Sequence, residues 1–67
     1  MARTWEQEKA YNAKRAEQLA AEMEASIQST DFQRFDEAYK TALRYMTKKQ
    51  RQPYYIRMLQ RRIEANA

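Results

Sequence analysis

Cysteine, histidine, glycine and valine are all absent from this 67-residue chain, and proline occurs once, as Pro53. Each absence removes a class of structure or chemistry. Without cysteine there are no disulfides, and without cysteine and histidine nearly every structural zinc site is excluded. Thiol nucleophiles and imidazole bases are missing for the same reason. A glycine-rich phosphate loop cannot form. Without glycine no residue takes up the left-handed geometry of a tight hairpin turn at low cost, so β-hairpins are disfavoured. Long apolar runs are also lacking, and nothing approaches the roughly 20 residues needed to cross a bilayer.

The remaining candidates for catalysis are weak. Ser26 and Ser29 have no activating partner in the sequence. Asp36 and Glu37 are adjacent on an expected helix, so their side chains diverge by about 100°, and those of Glu22 and Glu24 diverge further. The chain therefore reads as a non-enzyme with no cofactor, no metal and no small-molecule substrate. Its lack of cysteine suits the cytoplasm. The start, Met1-Ala2-Arg3-Thr4, runs into charged residues without an apolar stretch, so neither a leader nor membrane attachment is expected.

What is present favours helix. Ala, Glu, Gln, Lys, Arg and Met are abundant, and these residues lose little side-chain freedom in a helix. A chain this short forms one domain and buries a limited share of its surface. With no disulfide or metal to reinforce it, helix packing, self-association or a partner must supply stability. The expectation is an all-α fold: a small three-helix bundle without β-sheet, in one domain spanning residues 1–67.

The first helix is predicted at about 4–28. Thr4 and Gln7 have capping-box spacing, and Glu6 and Glu8 suit the positive end of the helix dipole. Trp5, Ala16, Leu19, Ala20, Met23 and Ile27 share one face, thin in its middle, so the start of this long helix is expected to overhang the core. Ser29-Thr30-Asp31 is a polar break that caps the next helix. That second helix, at about 31–50, has the clearest pattern: Phe32, Phe35, Ala38, Tyr39, Ala42, Leu43 and Met46. Asp36 and Lys40 are spaced for an ion pair. Pro53 suits the first position of a helix, and Gln52 before it is pushed towards extended geometry. A short third helix is thus predicted at about 53–64, burying Ile56, Leu59 and Ile63.

Charge is divided unevenly. Residues 1–31 carry four basic and six acidic groups, and residues 32–67 carry nine basic and three acidic. From Arg44 to Arg62 there are seven basic residues, three tyrosines and no acid. Such asymmetry points to nucleic acid or an acidic protein surface. Helical phase separates the stretch into two groups. Arg44, Lys48, Lys49 and Arg51 gather at the second break, where cations also complement the dipole of a helix end. Tyr54, Arg57, Met58 and Arg61, at i, i+3, i+4 and i+7, form an outward face on the third helix. Arginine forks suit phosphate or carboxylate, and tyrosine stacks on bases or fills a protein pocket. A wider buried face on the third helix would instead take in Tyr55 and Met58.

Two functions follow. In the first, the protein binds nucleic acid, with the corner cations on phosphates and the outward face supplying groove or stacking contacts. In the second, it is an interaction module, a small adaptor or inhibitor of a larger protein or a homodimer, with Trp5 and Tyr11 as candidates for self-association.

Overall fold

The structure, a computed structural model, describes residues 4–66, which form three helices and no strand. The segment Met1–Arg3, on which the expectation about a leader falls, lies outside the described residues. Helix α1 runs Trp5–Ser29, α2 Phe32–Tyr45 and α3 Lys48–Asn66. The all-α three-helix bundle expected from composition is the observed fold.

Helix α1 begins at the expected capping box. Thr4 Oγ1 accepts from the Gln7 amide at 3.2 Å, and Gln7 Oε1 accepts from the Thr4 amide at 3.1 Å. It ends in a left-handed residue, Thr30, at φ 57° and ψ 28°. The Thr30 amide donates to Ile27 O and the Asp31 amide to Ser26 O, the paired bonds of a Schellman stop. Glycine normally fills that position, and this chain uses a β-branched residue in its place. Asp31 then caps α2, its carboxylate accepting from the Arg34 amide at 3.2 Å.

The core lies where the stripes of α1 and α2 meet. Leu19, Met23 and Ile27 from α1 pack with Phe35, Ala38, Ala42 and Met46, and Met58 of α3 completes the cluster. Ser26 is also fully buried, its hydroxyl donating to Glu22 O at 2.7 Å. That bond allows a polar side chain inside an apolar seam, because the group is satisfied within its own helix.

The second break differs from the expectation. Helix α2 stops at Tyr45 instead of about residue 50, and α3 starts at Lys48, five residues before Pro53. The cause is another capping box. Thr47 Oγ1 accepts from the Gln50 amide at 3.2 Å, and Gln50 Oε1 accepts from the Thr47 amide at 2.9 Å. Pro53 therefore sits inside α3, where it forgoes one backbone bond near the helix start. Arg51 braces the corner, donating through Nη1 to Met46 O at 3.0 Å.

Long, offset helices make the molecule narrow, with principal extents of 51 × 19 × 14 Å. Contacts between the helices show the offset. Glu22 of α1 meets Arg34 of α2, and Tyr11 meets Tyr45, so these helices run antiparallel. Tyr39 of α2 meets Tyr55 of α3, while Arg62 lies over Phe32. Trp5, at the projecting end of α1, is 79 % exposed.

Candidate interaction surface

The face of α3 turned to the core is opposite to the expected one. Ile56, Leu59 and Ile63, expected to be buried, are 46 %, 40 % and 71 % exposed. Met58, outward in one reading and part of a widened buried face in the other, is 2 % exposed as in the second, and Tyr54 is half-buried against the core. The residues around Met58 supply the reason. With this face inward, Tyr55 sets its ring 5.2 Å from that of Tyr39, and the Arg62 guanidinium lies 5.5 Å from the centre of the Phe32 ring. On the other flank Arg57 forks onto Glu24, with Nη2 donating to Oε1 at 2.7 Å. Turning α3 to bury the isoleucines would break all of these contacts. Methionine, unbranched and adaptable, fills the gap between two helices that do not run level.

The four-residue face Tyr54, Arg57, Met58 and Arg61 is thereby dispersed. Met58 is a core residue, and Arg57 is a strut between α3 and α1. Arg61 borders Ile27 and Gln28 and reaches Glu64 at 3.5 Å. The bond from Arg57 is the main cause holding the Glu24 carboxyl below its ordinary value of 4.5, and the Gln28 amide adds to it. Arg34 acts in the same way on Glu22. No local spacing marks these pairs, whose members lie 12 and 33 residues apart in sequence.

The corner cations also divide. Arg51 is half-buried and turned towards Met46, its Nε enclosed without a partner among the described residues. Arg44, Lys48 and Lys49 are exposed and form no ion pair among the described residues. Lys40 stands likewise, because the expected pair with Asp36 is not formed. Beside the same corner, at the end of α2, Tyr11 packs edge-on against Tyr45, with ring centres 6.3 Å apart, and Arg15 lies 5.9 Å from the Tyr45 ring centre.

A surface that the sequence pattern assigned to the core is left open. Ile56, Leu59 and Ile63 follow one another at i, i+3 and i+7 along α3, and Tyr55 joins them to α2 through Tyr39. Leu43, one turn beyond Tyr39 on α2 and expected in the buried stripe of that helix, is 52 % exposed as well. The same phase carries the strip into charge: Lys49 is seven residues before Ile56, and Lys48 seven before Tyr55. Scattered apolar residues are ordinary on a surface, but here five exposed apolar residues fall on α2 and α3 at helical spacing. No known protein family, curated protein or solved structure matches this chain. Among the described residues no helix is long and apolar enough to cross a membrane, and no cluster of ligating side chains suited to a metal is present.

Proposed function

We propose that the protein is a non-enzymatic interaction module that docks onto another protein through the furrow of α2 and α3. The observation that carries this reading is the exposed strip Leu43, Tyr55, Ile56, Leu59 and Ile63. Full burial of an aliphatic side chain contributes roughly 1.5–3 kcal/mol; Ile56, Leu59 and Ile63, still 46 %, 40 % and 71 % exposed, forgo a part of it that a protein partner recovers. A small adaptor or inhibitor in the cytoplasm fits the size of the chain and its lack of cysteine.

Nucleic-acid binding is the second reading, favoured by Arg44, Lys48 and Lys49, which stay exposed at the corner and form no ion pair among the described residues. Its support is narrower than the sequence implied, because Arg51, Arg57 and Met58 are committed within the fold. Three phosphate contacts give weak binding that fades with salt.

Affinity recovery with the whole chain and with an Ile56→Glu/Ile63→Glu variant separates the two. Both positions are exposed, so helicity and melting should be close to the parent. The expected result is a protein recovered by the parent and lost with the variant, whose purified form binds the variant at least about tenfold more weakly, or about 1.4 kcal/mol. Recovered material that is nuclease-sensitive and indifferent to the double substitution overturns the docking reading in favour of nucleic acid.

A further inference from the structure

We infer that the occupant of the α2/α3 furrow is an amphipathic helix of a partner protein with its acidic residues gathered at one end. This rests on the docking reading above and adds the chemistry of the partner. Shape is the first ground. Helices α2 and α3 lie side by side through the Tyr39–Tyr55 contact, and helical spacing sets exposed Leu43 one turn from Tyr39 and exposed Leu59 one turn from Tyr55, with Ile56 and Ile63 three and four residues from Leu59. A helix laid along two such helices presents anchors at i, i+3 or i+4, and i+7.

Charge is the second ground, and it is directional. Lys48 and Lys49 prolong the strip at its start, and Lys40 and Arg44 flank Leu43 on α2; none of the four is paired among the described residues. Of the nearby acids, Asp36 is a turn further from the corner than Lys40, and Glu64 is engaged by Arg61. The corner end of the strip is thus cationic and its middle apolar, while at the other end Arg62 is laid over the Phe32 ring and Arg61 is engaged by Glu64. A partner helix with Asp or Glu at the end above Lys48 and Lys49 matches both. Carboxylates also suit the first turn of a helix, where they complement its dipole, so the N-terminus of the occupant lies at this corner.

The same charges disfavour the other occupants. A second copy pairing α3 against α3 brings together two helices that each carry six basic residues and one acidic. A lipid surface is flat, whereas the strip is divided between two helices, with Leu43 on α2 and Tyr55, against Tyr39, on α3.

The test uses the full chain against a displayed library of helical peptides of about 20 residues, some 30 Å long and enough to follow the furrow. Enrichment of amphipathic sequences with carboxylates near the N-terminus is expected. The best peptide, made synthetically, should lose at least about tenfold in affinity against Leu59→Glu and several-fold against Lys48→Glu/Lys49→Glu. Exchanging its acidic residues for lysine should restore binding to the doubly reversed variant and abolish it with the parent. Peptides that need Leu59 but show no acidic bias overturn the acidic helix and leave the docking reading standing. Two controls carry the other occupants. Sedimentation of the chain alone showing a dimer broken by Leu59→Glu overturns the inference in favour of self-association. Binding to equimolar phosphatidylserine/phosphatidylcholine vesicles, with no peptide enriched, overturns both it and the docking reading.

Discussion

At the scale of single residues, Thr30 shows what the lack of glycine costs this chain. The stop of α1 needs a left-handed residue so that the Thr30 and Asp31 amides reach Ile27 O and Ser26 O. A β-carbon in that conformation crowds the following carbonyl, at roughly 1–2 kcal/mol. Thr30→Gly relieves the crowding and gives back some of it to the freer unfolded chain, so the expected net gain is about 0.5–1 kcal/mol. Asp31 still caps α2 in the variant. Urea unfolding followed by circular dichroism measures the change, and a midpoint at or below that of the parent contradicts the assignment of strain to Thr30. The side-chain bond from Thr30 to Ser29 O is exposed and adds little to the balance.

At the scale of elements, the three helices were legible to different degrees, and α3 shows why. The inward face of α2 is read correctly, apart from Leu43 and the position of the helix end, because Phe35, Ala38 and Ala42, continued by Met46, form a dense stripe. In α3 two faces compete. Ile56, Leu59 and Ile63 score as the apolar stripe, but the face around Met58 gains contacts that only the assembled bundle provides, from Glu24, Phe32 and Tyr39. Hydrophobic periodicity weighs apolarity and cannot see a partner 33 residues away. The start of α3 is also written in the sequence: Thr47 and Gln50 repeat the spacing of Thr4 and Gln7, and this cap, upstream of Pro53, sets the helix start in place of the proline. Because the phase of α3 decides which surface is free, it is open to a direct check. Met58→Ala removes a fully enclosed side chain and should cost about 2–4 kcal/mol, whereas Ile63→Ala, at the exposed end, should change stability by less than about 0.5 kcal/mol. In a domain of this size 1 kcal/mol corresponds to about 4–8 °C in melting temperature, so the contrast is easily resolved. Equal losses, or a larger loss at Ile63, would mean that the isoleucine face is the buried one and would remove the docking surface with it.

At the scale of the whole molecule, α1 is fastened to its neighbours by two charged forks, Glu22 to Arg34 of α2 and Glu24 to Arg57 of α3. Both carboxyls are held below their ordinary value of 4.5, chiefly by the arginine hydrogen bonds. In the unfolded chain they take up protons near that value, and in the folded protein they stay ionised to lower pH. Within that window the unfolded chain binds more protons, so stability rises with pH. The contribution is complete above the ordinary carboxylate value and is lost as pH falls through the lowered one. Acidification also leaves the thirteen Lys and Arg charges uncompensated, which destabilises any compact form of a chain already at +4. The two effects separate by substitution. Thermal melting from neutral pH down through the carboxylate range should show a decline that is shallower in Glu22→Gln/Glu24→Gln, with a lower melting temperature at neutral pH. Glu17→Gln, at an exposed position outside both forks, should keep the slope of the parent. Because exposed ion pairs are weak in water, the difference should be modest and should shrink further in high salt. A double variant whose melting falls with acid as steeply as the parent's would show that general charge repulsion, and not the forks between helices, governs the acid response.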